Sequence, residues 1–492
     1  MKKPVTRLQQ IFFERSEGED FGHPANVDPS VRKALVETFH ADLLQGSPAH
    51  TWPGTSSLTC CPHPIVLTQA HQRQLQALND ALYLAISDIV ERWWIDADAR
   101  FPERMPVGDA EEKLLRSMAK LDTRPFKTCS GSWRPDFLLE PSQEDPDGIE
   151  NYRVCEINAR FCWNGFFHSY WVQQSLLNMG IERNGLRGAT IPEQTIDGLK
   201  QLFDPTIPLH LVKGRELGFD IHMFIYYAEQ RLGMQLRMVH QDDLRLVPCE
   251  SSPTGYKLCC LAGDTKGQTF TSKSGETLEE IHQLNIELHQ DELMSLSFEM
   301  QQEIGLRCFN SLRTILLVHD KRMLGLVLEE LDSLVTRNVL TAEQAHILDC
   351  GIVPTIIPGS AKLGQYIARC AENPSLKDEY ILKPVRGGKG AGILFGDLLS
   401  TDEWSLKLEA LRSPNLAADS STYVVQRRIY QNTYDVLLRE DDGVKELPLI
   451  GTFHMVQGQY LGFGIWRSGP GRVCALSRGG AWLGSVLQDG SS

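Results

Sequence analysis

The spacing of hydrophobic residues predicts one long helix in the first quarter of the chain. The apolar positions recur three or four residues apart, which forms a single stripe on a helix, at Leu75, Leu78, Leu82, Ile86, Ile89 and Trp93. Thr68 is a suitable N-cap for this helix. A second, shorter helix is predicted over residues 109–120. Residues 47–64 are rich in Pro, Gly, Ser and Thr, a composition typical of irregular surface chain.

The pattern then changes to two short strand-like runs. Residues 135–140 (PDFLLE) and 152–158 (YRVCEIN) flank a segment rich in turn formers, which predicts a hairpin with a long acidic tip. Residues two apart on a strand point to the same face, so Glu156 and Asn158 share a face. A hairpin that is symmetric about residue 146 would place Asp136 opposite Glu156.

A parallel sheet is predicted further along the chain. Residues 163–203 have a helical pattern. They are followed by a strand at 207–212, a helix at 220–232 and a strand at 236–239, which together form a βαβ unit. The glycine spacing of this unit does not match the dinucleotide fingerprint, so the pattern does not indicate NAD binding.

The last third of the chain contains both helical and strand-like patterns of hydrophobic residues. Residues 314–331 (TILLVHDKRMLGLVLEEL) predict a strand-like run followed by a helix that begins near Asp320. Another helix is predicted near 341–349. Further strands are predicted at 380–384, 393–395 and 423–429, with a strand pair between 447 and 466.

Composition narrows the class of protein. The chain has 492 residues, of which 42% are hydrophobic and 23% charged, as in ordinary globular proteins. A formal charge of −14 argues against general nucleic-acid binding, which needs a basic surface. No apolar run approaches the roughly 18 residues that a bilayer span needs, and the N-terminus lacks a signal-peptide pattern. We therefore expect a soluble cytoplasmic protein, with its twelve cysteines reduced and mostly buried.

A glycine-rich segment is the first candidate for chemistry. Residues 380–396 read YILKPVRGGKGAGILFG, with glycines at 387, 388, 390 and 392, Lys383 before them and Lys389 among them. Backbone N–H groups without side chains can approach phosphate oxygens closely, and lysines add positive charge. The segment is not a Walker A loop and leads into a strand, so it predicts a flexible hairpin lid. An ordinary glycine hairpin is the alternative.

The predicted hairpin is the second candidate. Asp136, Glu156 and Asn158 would bring three oxygen-bearing side chains together, and such hard ligands suit Mg²⁺. A solvated acidic strand face is the alternative. Lys321 at a helix start and the strand 423–429 (YVVQRRI) are weaker signals, because solvated lysines and plain strands are common.

Taken together and in this order, these motifs resemble the ATP-grasp superfamily. A lysine near a helix start, a strand with "KP", a glycine-rich lid and a hinge strand follow one another as in that family. The "DFLL … EIN" element comes before the lysines here instead of at the end. The chain therefore resembles a circularly permuted ATP-grasp protein, similar to carboxylate–amine ligases of the glutathionylspermidine-synthetase type. The resemblance covers roughly 130–160 and 206–492.

The resemblance implies a role for each matching residue. It implies three groups that bind Mg²⁺: Asp136, Glu156 and Asn158. It implies two catalytic arginines that hold the transferred phosphoryl group or the substrate carboxylate, Arg160 and Arg467. It also makes the metal ligand Glu156 a catalytic residue. It implies groups that bind the nucleotide: Lys321, Lys383, the lid residues Gly387, Gly388, Lys389 and Gly390, the hinge residues Gln426, Arg427 and Ile429, and Asp435 at the ribose.

The same resemblance implies a fold and an activity. The expected fold is α/β (α+β), with a mainly helical region (1–125), the permuted metal-binding strand pair (126–205), a pre-ATP-grasp domain (206–305) and the nucleotide-binding region (306–492). The expected reaction joins a small carboxylate, such as an amino acid, to an amine. It would use ATP and Mg²⁺, pass through an acyl phosphate and release ADP and phosphate. Three alternatives stay open at this point: a small-molecule kinase, an adenylating ligase and a non-catalytic nucleotide-binding protein.

Overall fold

The computed structural model describes residues 7–14, 20–141, 148–218, 220–263, 267–417, 422–474 and 479–488. Over these residues the chain alternates helices with strands from one end to the other. The α-helices are α1 (Pro29–Gly46), α2 (Gln69–Arg92), α3 (Phe101–Arg104), α4 (Asp109–Leu121), α5 (Phe166–Asn178), α6 (Pro192–Leu199), α7 (Asp220–Tyr227), α8 (Gln290–Ser295), α9 (Phe298–Arg307), α10 (Arg322–Thr336), α11 (Ala342–Gly351), α12 (Ala361–Glu372) and α13 (Thr401–Ala410).

The strands belong to four sheets. They are β1 (Gln9–Gln10), β2 (Cys60–Leu67), β3 (Ser132–Glu140), β4 (Asn151–Asn158), β5 (Leu186–Gly188), β6 (Leu209–Lys213), β7 (Leu236–His240), β8 (Leu244–Pro248), β9 (Tyr256–Leu261), β10 (Thr269–Thr271), β11 (Thr277–Glu280), β12 (Leu284–Glu287), β13 (Thr355–Ile356), β14 (Tyr380–Pro384), β15 (Leu394–Phe395), β16 (Tyr423–Arg427), β17 (Thr433–Leu437), β18 (Val444–Val456), β19 (Gln459–Phe463), β20 (Trp466–Ser468) and β21 (Ala481–Gln488).

The largest sheet joins both ends of the chain. Its strand order is β1-β2-β21-β20-β18-β3-β4, with β17 and β19 also paired to β18 and β5 paired to β21. The early hairpin β3–β4 therefore lies directly beside the late strand β18. Strands that are distant in sequence are held in register here, which positions side chains from the two halves of the chain next to each other.

The N-terminal region contributes more than helices. The long helix predicted from the apolar stripe is α2, which begins after Thr68 as expected. The prediction of irregular surface chain over 47–64 is wrong at its end, because β2 starts at Cys60 and all eight of its residues are buried. His63 and two prolines interrupt this apolar run, which hides the strand pattern. Helix α1 was not predicted, since its buried residues are only Leu35, Phe39 and Leu43.

The predicted βαβ unit is confirmed. Strands β6 and β7 are parallel neighbours connected by α7, and β12 adds a third parallel strand on the other side of β6. Residues 250–290, which carry no clear pattern, supply strands of a second, antiparallel sheet with the order β10-β11-β9-β8.

One predicted strand is wrong. The apolar run Thr314–Val318 is a buried helical turn instead, and α10 follows it close to the predicted position. A short apolar run that is buried on all sides has no periodicity that separates a strand from a helix. The helical turn places Lys321 at the N-cap of α10, where its side chain is buried.

The glycine-rich segment belongs to a fourth sheet with the order β13-β16-β14-β15. Strand β14 ends at Pro384 and β15 returns antiparallel beside it, so residues 385–393 form a hairpin loop as predicted. Strand β16 pairs with β14 in a register that sets Lys383 opposite Val424 and Ile381 opposite Gln426.

Two expectations about the whole chain can be compared with the structure. None of the twelve cysteines, all of which lie in the described ranges, forms a disulfide, and ten of them are buried, which confirms the prediction of buried thiols. Across the described ranges, no helix is both long and apolar enough to cross a membrane.

A buried carboxylate ties several elements together. Glu150 Oε1 accepts hydrogen bonds from Tyr434 Oη at 2.8 Å and from the backbone N–H of Leu8 at 3.1 Å. Its other oxygen lies 3.0 Å from His71 Nε2, in the first turn of α2. Burial alone would raise the pKa of Glu150, but the hydrogen bonds from His71 and Tyr434 outweigh it and lower that pKa.

We expect Glu150→Ala to destabilise the protein by about 3–5 kcal/mol, because it leaves several buried polar groups without their partner. The melting temperature should fall clearly, whereas the exposed substitution Glu372→Ala should leave it nearly unchanged. Because the folded-state pKa lies below the ordinary value of 4.5, the stabilisation should be present above that pH and be lost as the pH falls. Equal melting temperatures for the two variants would contradict this role.

Candidate active site

The hairpin β3–β4 has the register that the sequence predicts. Asp136 pairs directly with Glu156, and the strand is bulged between Asp136 and Phe137. The Asn158 amide nitrogen donates to Asp136 Oδ1 at 3.0 Å. Three oxygen-bearing side chains therefore lie together on one face of the hairpin. The predicted tip of this hairpin, over residues 142–147, lies outside the described residues.

Two arginines hold the Asp136 carboxylate. Arg467 reaches it from β20, across β18, and donates from its guanidinium to Asp136 Oδ2. Arg134 Nε donates to Asp136 Oδ1 at 3.0 Å. Burial disfavours the charged form of Arg467, but the carboxylates of Asp136 and Glu156 outweigh it and raise the pKa of Arg467. Arg134 was not among the predicted residues, although its position two residues before Asp136 on a strand was a usable signal.

Two lysines hold the Glu156 carboxylate. Glu156 Oε2 lies 3.4 Å from Lys383 Nζ and 3.7 Å from Lys321 Nζ. Both lysines are buried, with 5% and 6% of their surface exposed. Burial would raise the pKa of Glu156, but Lys383, Lys321 and Arg467 outweigh burial and lower it. The carboxylate therefore stays ionised at neutral pH.

The charges in this cluster do not balance. Arg134, Arg467, Lys321 and Lys383 face the two carboxylates of Asp136 and Glu156, which leaves an excess of two positive charges. Partly buried cations without enough anionic partners create a strong positive potential. This arrangement favours an anionic ligand with several negative charges.

The glycine loop lies against this cluster. Lys321 Nζ donates to the carbonyl of Gly387 at 2.8 Å, and the Lys321 backbone N–H donates to the carbonyl of Val385 at 3.1 Å. Gly387 has a φ of +99°, a conformation that side chains other than glycine's rarely adopt. A Cβ at Gly390 would lie 2.3 Å from a Val473 methyl group. Gly388 is exposed and a Cβ there would meet nothing within 4 Å.

Lys389 lies apart from the cluster. Its side chain is 82% exposed, and its Nζ lies 3.1 Å from Glu216 Oε1 in the loop after β6. The glycine loop is thus connected to the βαβ unit through this exposed ion pair.

The predicted hinge residues separate into two groups. Gln426 is buried and its Nε2 donates to the Cys155 carbonyl at 3.2 Å, the same carbonyl that Lys383 Nζ contacts at 3.2 Å. Ile429 packs against the side chain of Cys155. Arg427 points to the other face and binds Glu140 at 2.6 Å. The structure therefore brings Gln426 and Ile429 to the cluster and turns the guanidinium of Arg427 away.

Asp435 is not brought to the cluster. It is an exposed residue of β17 opposite Glu446, and its carbonyl accepts a hydrogen bond from His23 at 3.1 Å. Among the described residues, no contact joins its carboxylate to the lysines or to the hairpin.

Arg160 lies just beyond the hairpin, in a second group of charges. It is buried, and its Nη2 donates to Gln290 Oε1 at 3.2 Å, while its Nε has no hydrogen-bond partner among the described residues. Burial, assisted by the nearby charge of Arg386, lowers the pKa of Arg160 to about 10. Arg386 in turn donates to Glu111 at 2.9 Å. Glu111 and Gln290 carry no signal in the sequence, because they reach this place only through the tertiary fold.

A separate open cleft of about 940 Å³ lies between α3, α10, α11 and the chain around Pro358. Its lining mixes acidic and basic side chains, among them Arg100, Glu103, Asp332 and Lys362. None of the residues predicted from the sequence lines it. We place the candidate site at Glu156 instead, because charge imbalance and convergence of buried groups indicate a ligand more directly than cleft volume does.

Comparison with known proteins places this geometry in a family. A family model described as the AnkG N-terminal domain matches residues 78–317. The ATP-grasp enzyme ankG of Aspergillus thermomutatus is 38% identical over 433 residues, which cover 87% of this chain and 88% of that protein. The chain belongs to the ATP-grasp enzymes. The resemblance to the ATP-grasp superfamily is thereby confirmed, and membership in this family implies the use of ATP.

A solved structure supports the same fold for this ATP-grasp enzyme. The glutathione synthetase-like effector GSS30 from Globodera pallida, in its apo form, covers 94% of this chain and 98% of its own chain, with a TM-score of 0.52. The two sequences are 13% identical, so the likeness concerns the mixed α/β fold.

We expect Lys383→Met to weaken ATP binding about tenfold to a hundredfold, because a hydrogen bond to a charged group contributes about 1.5–3 kcal/mol. Methionine keeps the volume of the buried stem. The matched control is Lys362→Met in the open cleft, which should leave affinity unchanged. Calorimetric titration with a non-hydrolysable ATP analogue measures both. Unchanged affinity in the first variant would remove Lys383 from the nucleotide site.

Proposed function

We propose that this ATP-grasp enzyme is a carboxylate–amine ligase that forms ADP. A substrate carboxylate attacks the γ-phosphate of ATP to give an acyl phosphate and ADP, and an amine then displaces phosphate to leave an amide. The observation that carries the proposal is the excess of positive charge around Glu156, where lysines and arginines meet two carboxylates. Phosphoryl transfer depends on positioning and charge neutralisation more than on a protein nucleophile.

The donor set of the hairpin fits Mg²⁺. Asp136 and Glu156 supply carboxylate oxygens opposite each other. Asn158 uses its amide nitrogen to bond Asp136, so its amide oxygen is the atom left to bind a cation. Mg²⁺ binds through one or two carboxylates together with substrate phosphates. The ion, when bound, would neutralise charge that develops on the transferred phosphoryl group.

The lysines and the glycine loop are assigned to the nucleotide. Lys321 and Lys383 would bind its phosphates, and the loop formed by Gly387, Gly388, Lys389 and Gly390 would cover them. The contact of Lys321 Nζ with the Gly387 carbonyl supports this assignment, since it shows that the loop reaches the lysine. Gln426 and Ile429 are assigned to the adenine. Gln426 and Lys383 bind the same carbonyl of Cys155, and Ile429 packs against the Cys155 side chain, so both residues lie near Lys383. Among the residues that the structure describes, no contact supports the ribose role of Asp435.

The arginines are assigned to the reacting groups. Arg467 lies at the metal-binding carboxylate Asp136, where it would bind the transferred phosphoryl group. Arg160 is buried and its Nε has no hydrogen-bond partner in the described part of the chain, so a substrate carboxylate would satisfy it. Planar guanidinium groups bind carboxylate and phosphate through two hydrogen bonds, which orients these groups for attack.

A circular permutation accounts for the order of the motifs. In the largest sheet, the hairpin β3–β4 pairs with β18 through β3. In the sequence, the segments with Lys321 and Lys383 lie between this hairpin and β18. This placement supports a chain whose metal-binding strands have moved to the N-terminal side. The proposed division remains 1–125, 126–205, 206–305 and 306–492, with a sheet that includes strands from three of these regions.

Product analysis tests the activity. Full-length enzyme with MgATP and pools of small acids and amines should release ADP and phosphate and form a new amide, detected by mass. An ¹⁸O-labelled carboxylate should pass one ¹⁸O to the released phosphate, because the acyl phosphate bridges through that oxygen. A phosphorylated substrate without free phosphate would indicate a kinase, and AMP with pyrophosphate an adenylating ligase. Either result would overturn the proposal.

We expect Glu156→Gln to reduce turnover by about a hundredfold or more, because it removes a metal-binding charge and leaves Lys321 and Lys383 unpaired. The variant should still fold, because the amide keeps the shape of the carboxylate, although its melting temperature should fall because two buried lysines lose their partner. Raising the Mg²⁺ concentration should recover part of the activity. Glu276→Gln, in the turn between β10 and β11, is the control and should behave as wild type. Normal turnover in the Glu156 variant would exclude this carboxylate as a catalytic ligand.

A further inference from the structure

A buried histidine, cysteine and glutamate meet between two sheets, away from the nucleotide site. His210 lies on β6 of the parallel sheet, and Cys260 and Glu279 lie on β9 and β11 of the antiparallel sheet. All three side chains are buried, at 0%, 0% and 4% exposure. One ligand atom from each lies within 4.8 Å of the others. Across the described residues, this is the group of three His, Cys, Asp or Glu side chains that satisfies such spacing.

The strand register fixes two of the three ligands. Cys260 and Glu279 are direct cross-strand partners, so their side chains point to the same face of the antiparallel sheet. That face meets β6, where His210 is the second residue of the strand. Three separate strands therefore converge on one point, which makes the cluster part of the fold and not a flexible surface group.

In the described part of the chain, the ring of His210 makes no hydrogen bond at the centre of this cluster. Neither ring nitrogen has a hydrogen-bond partner among the described residues. Its Nε2 lies 3.6 Å from Glu279 Oε1, which is longer than a hydrogen bond. Burying a polar ring without partners is costly. A separation of about 3.4 Å is expected between two ligands at about 2.0–2.1 Å on a tetrahedral Zn²⁺ ion.

The second oxygen of Glu279 is already oriented. Arg237 Nη1 donates to Glu279 Oε2 at 2.5 Å, and Arg237 Nη2 donates to the carbonyl of Leu261. This fixes the carboxylate so that Oε1 faces His210. Ligating carboxylates are commonly held in this way by a hydrogen-bonded neighbour outside the metal site.

We propose that His210, Cys260 and Glu279 bind a Zn²⁺ ion that links the two sheets. Nitrogen, sulfur and oxygen ligands in this combination suit zinc, and three of them leave one tetrahedral position for water. On binding, the Cys260 S–H bond breaks, its proton passes to solvent and the thiolate sulfur bonds to the metal. The thiolate and the carboxylate then offset the two positive charges of the ion, and Arg237 adds one positive charge beside the carboxylate.

Metal content of the full-length protein tests the proposal. Protein purified without chelator should contain one zinc per chain by elemental mass spectrometry, and Cys260→Ser should contain less than a tenth of that. Two variants serve as controls. Cys259→Ser removes the neighbouring buried thiol on the opposite face of β9, and Cys350→Ser removes a thiol 3.7 Å from His346 in another part of the fold. Both controls should keep their zinc.

Cobalt substitution provides a second readout that does not depend on activity. The Co²⁺-loaded wild type should show the absorption of a thiolate–cobalt bond, and Cys260→Ser should lose it. If Cys260→Ser fails to fold, Glu279→Gln takes its place, because this substitution keeps the shape of the side chain. Glu279→Gln should weaken zinc binding at least tenfold. Absence of zinc in the wild type together with no uptake of added Zn²⁺, or equal zinc in wild type and both site variants, would overturn the proposal.

Discussion

The Glu156 carboxylate, held between Lys321 and Lys383, is the interaction on which the candidate site depends. It joins the early hairpin, the start of α10 and the strand before the glycine loop within 3.7 Å. Buried charges are costly to desolvate, so such a group persists only when the surrounding fold fixes each partner. Because the cations outnumber the carboxylates, an anion would complete the cluster, and we propose that the phosphates of ATP supply it.

The largest sheet supplies the rigid support for this cluster. Strand β18 lies between β3 and β20, so Asp136 and Arg467 face each other across it although they are far apart in sequence. The N-terminal region takes part in the same support. Strand β2 pairs with β21 near the end of the chain, and Glu111 of α4 holds Arg386 at the start of the glycine loop. A region without any recognisable motif therefore positions the loop that is proposed to cover the phosphates.

Local features of the site were predictable from the sequence, and long-range ones were not. The pairing of Asp136 with Glu156 followed from strand periodicity and the position of one turn, since a hairpin is a local structure. Family resemblance added the lysines that lie more than 150 residues away. Glu111 could not be found, because only the tertiary fold brings α4 to Arg386. The order of the motifs along the chain points to Asp435 as the ribose-binding residue, whereas the pairing of β17 with β18 leaves Asp435 exposed.

The most direct test of the account is a crystal structure of the full-length protein with Mg²⁺ and a non-hydrolysable ATP analogue. The account predicts phosphates bound to Lys321 and Lys383 beneath the glycine loop. It also predicts a metal ion about 2.0–2.1 Å from oxygens of the Asp136, Glu156 and Asn158 group. A nucleotide bound in the open cleft between α3, α10 and α11, with the Glu156 ion pairs unchanged, would contradict it.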